Sequence, residues 1–284
     1  MRSVCEKAYG KLNLTLDVLG TRPDGYHEMC MLMQSVELYD LVTVELSGNG
    51  WQCRCDVPGV PADASNLALR AAEAFFGAYG SRPVNLTVSI RKQIPMQGGM
   101  AGGSTDAAAV LRGLNTLFGS PYDVQKLCRL GEGVGSDVPY CVLGGTVLAR
   151  GRGELLTPLP PMPQAWFCLV KPEFSVSTPQ LFRRLDDCGI SMRPDTEKAL
   201  DCLRRGDLPG LCGCMQNVFQ PVLEQQYPVI GTICCRLQEL GALGACLTGT
   251  GSVVFGVFDE EHAARRACET FRLGDMEAFA VKSV

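Results

Sequence analysis

The chain has 284 residues, 46% of them hydrophobic and 20% charged, with a net charge of −4. That is enough apolar material for two ordinary domains or one large one, and it lacks the basic excess that would mark nucleic acid as a partner. No apolar run is long enough to cross a membrane, and the first residues, Met1-Arg2-Ser3-Val4-Cys5-Glu6-Lys7, form no apolar leader, so no membrane is expected as a partner and the cytoplasm is the expected location.

The fifteen cysteines are odd in number, show no C-x-x-C spacing and are accompanied by two histidines, His27 and His262. They read as reduced thiols packed as small apolar residues, and no metal site is expected.

In chain order, Leu12 to Val18 alternates strictly and predicts a half-buried strand, with leucines on one face and Lys11, Asn13 and Thr15 on the other. Arg22-Pro23-Asp24-Gly25-Tyr26-His27 contains a strong turn signal that sets an aromatic ring beside an imidazole. Strands are predicted at Leu41 to Leu46 and Val84 to Ile90. An alanine-rich helix is predicted from Asn66, a candidate cap, to Tyr79, and a second from Thr105 to Phe118. Thr157-Pro158-Leu159-Pro160-Pro161-Met162-Pro163 excludes helix and disfavours strand, and it is the expected boundary between domains at 1–156 and 164–284. Beyond it come a strand (Trp166 to Val170), several helices, a hairpin (Ala245 to Phe258), a helix (Glu260 to Phe271) and a last strand (Ala278 to Val281). Helices and strands mix without a strict βαβ rhythm, so the fold class is α+β in both halves.

The strongest chemical signal is Pro95-Met96-Gln97-Gly98-Gly99-Met100-Ala101-Gly102-Gly103-Ser104-Thr105-Asp106, between a predicted strand and a predicted helix. Its glycines let the backbone approach a ligand closely, and Ser104, Thr105 or Asp106 can cap the helix, whose positive end suits an anion such as phosphate. The loop is not a Walker A motif: Gly98 and Gly103 have the spacing, but Ser104 stands where lysine is required. The alternative is a flexible turn packed on its own helix. Lys11 is either a solvated lysine on an outer face or a functional cation. Asp137, in Gly135-Ser136-Asp137-Val138-Pro139, is either a helix cap or a group that does chemistry.

Four segments together resemble the GHMP kinase family. They are Lys11-Leu12-Asn13-Leu14 with Arg22 to His27; the loop from Pro95 to Asp106; Gly135 to Pro139 followed by Gly144-Gly145-Thr146 and Gly151-Arg152-Gly153-Glu154; and Thr248-Gly249-Thr250-Gly251-Ser252 with Val254-Phe255-Gly256. They occur in family order and span nearly the whole chain.

The resemblance implies a two-domain α+β GHMP kinase fold with a ferredoxin-like second domain, ATP as phosphate donor with Mg²⁺, and an alcohol as acceptor. It implies that Lys11 and Asp137 are the catalytic pair. It places Asn66 and the run Pro95, Met96, Gln97, Gly98, Gly99, Met100, Ala101, Gly102, Gly103, Ser104 and Thr105 at the ATP site. Asn13, Tyr26, His27, Thr178 and Phe182 fall at acceptor positions. The first and third segments resemble the branch of the family whose acceptor is a cytidine diphosphate conjugate of methylerythritol. Gln97 and Ala101 depart from the family pattern, which carries glycine at both places.

Overall fold

The computed structural model describes residues 2–284. In chain order its elements are β1 (Ser3–Thr21), β2 (His27–Glu45), β3 (Trp51–Cys55), α1 (Leu67–Tyr79), β4 (Leu86–Arg91), α2 (Gly102–Leu117), α3 (Val124–Glu132), α4 (Val138–Leu143), β5 (Thr146–Gly151) and β6 (Leu155–Pro158). There follow β7 (Trp166–Lys171), α5 (Thr178–Cys188), α6 (Thr196–Arg204), α7 (Leu208–Cys212), β8 (Gln216–Asn217), α8 (Gln220–Gln226), α9 (Val229–Glu239), β9 (Gly244–Leu247), β10 (Val254–Phe258), α10 (Glu261–Leu273) and β11 (Glu277–Lys282). The chain separates into two compact units, each assembled from several segments: 1–10, 38–95 and 101–144 in the first, 11–37, 96–100 and 145–284 in the second. The proline-rich stretch 157–163 lies wholly inside the second unit.

In the first unit, β4 runs antiparallel to the second half of β2, from Leu41 opposite Arg91 to Glu45 opposite Thr87, and β3 runs parallel to β4. Val42, Val44, Leu86, Val88 and Ile90 supply the buried face of this sheet. α1 forms where the alanine pattern predicts it, because Asn66 Oδ1 accepts from the Ala68 N–H at 2.8 Å and Gly80 ends it in the left-handed conformation. α2 is buried over much of its surface: Ala107, Ala108, Ala109, Val110 and Leu111 have no exposure. Its small side chains let it sit against α1, and beside it Phe75 and Phe118 each meet the rings of Phe76 and Tyr79.

Both ends of the glycine-rich loop are tied down in this unit by a buried ion cluster. Lys92 Nζ donates to Asp40 Oδ2 at 2.5 Å and to Asp106 Oδ2 at 2.9 Å. Asp40 Oδ1 accepts from the Gln93 and Ile94 N–H groups at 2.6 and 2.9 Å. The end of β4 is thereby fastened to β2 and to the second turn of α2. One ammonium serves two buried carboxylates, and Asp106 Oδ1 has no partner among the described residues.

In the second unit, β5 pairs antiparallel with the first half of β2, β6 with β5, and β8 lies parallel to β1 at Thr15 and Leu16. β1 is not the half-buried strand that its alternation predicts. Lys11, Asn13 and Thr15 are as buried as Leu12, Leu14 and Leu16, because the 248–251 segment and the 96–100 loop are packed against this stretch. The proline-rich stretch also begins as strand: β6 pairs Pro158 with Val147, a tolerable site because the strand lies at the sheet edge. A separate antiparallel sheet has the order β11-β7-β10-β9. With α9 and α10 packed on it, this gives β-α-β-β-α-β with the first strand central, the ferredoxin-like arrangement expected for the C-terminal half. The thiols act here as apolar filling. Burial pushes the Cys53 thiol up to about 11 and those of Cys212 and Cys234 up to about 12, and Cys168 Sγ of β7 meets Cys268 Sγ of α10 at 2.9 Å.

Burial, opposed by the Lys92 ammonium and reinforced by Asp40, raises the Asp106 carboxyl from an ordinary 3.8 to about 7. A carboxyl raised on folding contributes stability that is fully present below its unfolded value and is lost as pH rises through its folded value. Asp106→Asn keeps the shape without the titration. Melting temperatures of parent and variant from about pH 4 to pH 9 should show the parent losing ground to Asp106→Asn as pH rises from about 4 to about 7, with a steady difference above that. A constant difference between the two proteins would contradict this.

Candidate active site

The first unit brings three helix starts together. The first bond within α2 runs from the Thr105 N–H to the Ala101 carbonyl at 2.9 Å, so the N–H groups of Gly102, Gly103 and Ser104 have no acceptor inside the helix. Ser104, Thr105 and Asp106 do not cap it, contrary to expectation. The capping position is Ala101, and the other three lie within the helix, with Thr105 Oγ1 donating to the Tyr9 carbonyl at 2.7 Å and Asp106 held by Lys92. The beginning of α1 adjoins this point, since a Cβ on Gly103 would sit 3.6 Å from Leu67 Cδ1. The third segment adjoins it too, since a Cβ on Gly135 would lie 3.9 Å from Ser104 Oγ. Asp137 sits at the start of α4, half-buried, and its carboxylate makes no capping hydrogen bond. Asn66 is occupied structurally: besides capping α1, its Nδ2 donates to the Pro61 carbonyl at 2.6 Å and to Cys53 Sγ at 3.3 Å.

The second unit gathers the remaining parts. Lys11 is 4% exposed, and its Nζ donates to Asn13 Oδ1 at 2.7 Å. No carboxylate of its own unit pairs with it. Asn13 Nδ2 is buried with no partner among the described residues. The Asn13 N–H donates to Thr248 Oγ1 at 3.0 Å, and the Lys11 N–H to the Met100 carbonyl at 3.2 Å. Residues 96–100 and 248–251 meet backbone to backbone. A Cβ on Gly99 would fall 2.3 Å from the Thr248 carbonyl oxygen, and one on Gly249 would fall 2.7 Å from the Gly99 carbonyl oxygen and 3.1 Å from Lys11 Nζ. Glycine is therefore required at both places. A buried ammonium and an unpaired amide donor beside a strip of bare backbone form a place that wants an anion.

Gln97 and Ala101 keep the conformation that glycine would give, with φ of 55° and 60°.

The acceptor candidates form a second group in this unit. The rings of His27 and Phe182 lie 4.6 Å apart at 32°, and His27 Nε2 is 2.9 Å from Asp186 Oδ1. Tyr26 is 55% exposed, with the Arg152 guanidinium 4.9 Å from its ring centre. Thr178 is exposed at the start of α5, and its Oγ1 meets Thr250 Oγ1 at 3.0 Å. Sequence reasoning gave no role to Arg152, Asp186, Thr248, Lys92 or Asp40. Arg152 stood in a quoted motif, whereas nothing in the sequence ties Asp186 to His27 across 159 positions. Among the described residues no group of three or more His, Cys, Asp or Glu side chains is gathered closely enough to hold a metal ion, and no helix is long and apolar enough to cross a membrane.

Comparison with known proteins settles the class. The pattern described as GHMP kinases N terminal domain matches residues 66–145, and GHMP kinases C terminal matches residues 199–273, on either side of the proline-rich stretch. The chain belongs to the GHMP kinase family and is an ATP-dependent small-molecule kinase. It is 40% identical over the full length of both chains to the 4-diphosphocytidyl-2-C-methyl-D-erythritol kinase of Acetivibrio thermocellus. It is 44% identical to that of Moorella thermoacetica over 91% of each chain. A crystal structure of 4-(cytidine 5'-diphospho)-2C-methyl-D-erythritol kinase superposes with a TM-score of 0.83 at 32% identity, covering 99% of each chain.

The loop geometry predicts substitutions of opposite sign. Gly99→Ala must push a methyl into the Thr248 carbonyl, so it should lower the melting temperature and raise the KM for ATP. Gly103→Ala should do neither harm to the fold, since its methyl would make ordinary contact. Ala101→Gly removes left-handed strain of about 1–2 kcal/mol, offset by about 0.5–1 kcal/mol of added chain freedom. The variant should be slightly more stable than the parent. Thermal melts and ATP kinetics of the three variants check this. A harmless Gly99→Ala would refute the backbone contact.

Proposed function

We propose that the chain transfers the γ-phosphate of ATP to a hydroxyl of 4-diphosphocytidyl-2-C-methyl-D-erythritol, giving the 2-phosphate, in isoprenoid precursor biosynthesis. The full-length similarity supports the substrate, and the site residues supply a chemistry that suits it. The observation that carries the chemistry is Lys11: a buried ammonium with an amide oxygen, and no carboxylate of its unit, as partner. Such a cation is stabilised by an arriving polyphosphate.

Phosphoryl transfer proceeds through a loose transition state whose charge spreads over phosphate oxygens, so the protein's work is positioning and opposite charge. In this reading the loop from Pro95 to Thr105 holds the phosphates through its free N–H groups, among them those of Gly102, Gly103 and Ser104 in the first turn of α2. Lys11 and Asn13 Nδ2 donate to the transferring group or to the attacking oxygen. Asp137, free of a capping role, orients the acceptor hydroxyl and receives its proton. Mg²⁺ bound with ATP would neutralise charge developing on the phosphates. Tyr26, His27 and Phe182 hold the cytosine, and Thr178 lies with them on the acceptor side. We keep 1–156 and 164–284 as the two family domains, a division supported by family matches on either side of 157–163. Fifteen free thiols suit a reducing cytoplasm, and small molecules, with no nucleic acid, remain the expected partners.

Two measurements test this reading. ADP release should be fast with the cytidine diphosphate conjugate and slow with free methylerythritol phosphate; equal rates would remove the cytidine site. Asp137→Asn should lower kcat by about two orders of magnitude or more with little change in ATP affinity, and Lys11→Met should act similarly with some loss of substrate binding. Near-parental turnover in Asp137→Asn would remove that residue from the mechanism.

A further inference from the structure

Among the groups assigned to the acceptor, His27 is the one that can offer a donor or an acceptor according to where its proton sits. Its Nε2 lies 2.9 Å from Asp186 Oδ1, while Nδ1 has no hydrogen-bond partner among the described residues. Asp186 projects from α5, one turn beyond Phe182, whose ring packs against the His27 ring. His27 is largely buried, with its side chain 14% exposed, and Asp186 is 51% exposed. Both line a cavity of about 270 Å³, whose walls also include Val18, Leu185, Ile190 and Arg193. Arg193 does not compete for Asp186, because it is held by Asp17 Oδ1 at 2.6 Å and the Val18 carbonyl at 2.9 Å.

We infer that Asp186 is a specificity-determining positioning residue: by accepting from His27 Nε2 it leaves Nδ1 as a hydrogen-bond acceptor, which fits the amino group of cytosine and rejects the carbonyl of uracil. The inference rests on the reading that Tyr26 and His27 hold the base. A carboxylate can only accept, so a bond at 2.9 Å to Nε2 requires the proton on Nε2. In the neutral ring Nδ1 then carries a lone pair. Cytosine presents a 4-amino donor at its hydrogen-bonding edge, and uracil presents a 4-carbonyl acceptor in the same place. Lone pair would face lone pair with uracil, leaving both unpaired in a partly buried site. Ring stacking alone does not make this choice, because every base has a face to stack. Without Asp186 the imidazole is free to carry its proton on Nδ1, and the preference relaxes.

The test uses the whole enzyme with cytidine and uridine diphosphate conjugates of methylerythritol. The parent should favour the cytidine conjugate in kcat/KM. Asp186→Asn, whose amide can accept or donate, and Asp186→Ala should each narrow that preference by about tenfold, the size of one hydrogen bond. The change should fall on KM for the acceptor, with kcat and KM for ATP near parental values. Asp186→Glu, which restores an acceptor-only partner, should recover most of the preference. Nitrogen-15 spectra give a second readout that folding defects do not mimic. The chain has two histidines, so His262→Ala assigns the signals, and His27 should show a protonated Nε2 in the parent and mixed protonation in Asp186→Ala. An unchanged cytidine preference in both Asn and Ala variants, or a parent His27 protonated on Nδ1, overturns the inference while leaving base reading by His27 intact. A parent that uses the two conjugates equally overturns base reading itself, and the role of Asp186 falls with it.

Discussion

A lysine held inside a protein by an amide oxygen is an open electrostatic account, and the surrounding structure is arranged around it. Lys11 lies in a fully buried stretch of β1, fixed through its own N–H to the Met100 carbonyl and through Nζ to Asn13. Burying an ammonium without a counter-ion is costly. The neighbouring groups relieve that cost only in part: Asn13 Oδ1 accepts from Nζ, but it carries no full negative charge, and Asn13 Nδ2 is itself an unpaired donor. What relieves it is an anion. Two glycine-bearing segments distant in sequence press together beside the ammonium. A side chain at Gly99 or Gly249 would strike a carbonyl oxygen of the facing segment, so only bare backbone permits this contact.

The loop also has to be held at its ends. Lys92 fastens the exit of β4 and the second turn of α2 to one point, with Asp40 fixing the Gln93 and Ile94 amides from the other side. The loop between these anchors therefore has few ways to relax, and Gln97 and Ala101 remain in left-handed conformations although neither is glycine. Local strain of this kind persists where surrounding contacts over-determine the backbone. The arrangement joins sequence to function at one place: a charged cluster with no contact to chemistry sets the aim of the amides that would carry it.

Much of this was legible in the sequence. Alternation and capping located β4, α1, β7 and the β9–β10 hairpin, since local signals decide such elements. The order of motifs gave the family. The burial of Lys11, Asn13 and Thr15 was not legible, because their strand has the polar/apolar rhythm of a surface strand, and the segments that cover it come from positions far along the chain. The start of α2 differs from its local signal for a related reason. Ser104, Thr105 and Asp106 are good capping residues, yet each is used for something else or lies a turn too late, and Ala101 takes the capping position through backbone conformation alone. Asp186 and the Lys92 cluster are long-range pairings of ordinary charged residues, which no local pattern marks.

The central claim is that the loop's own N–H groups, with Lys11, receive the polyphosphate of ATP. Amide spectra of the nitrogen-15-labelled protein during titration with a non-hydrolysable ATP analogue examine it directly. The account predicts that the signals of Gly98, Gly99, Gly102, Gly103 and Ser104 move together with those of Lys11 and Gly249, while the amides of β11 and α10 stay in place. Saturable binding that leaves the loop signals unmoved and shifts another region of the chain would contradict it.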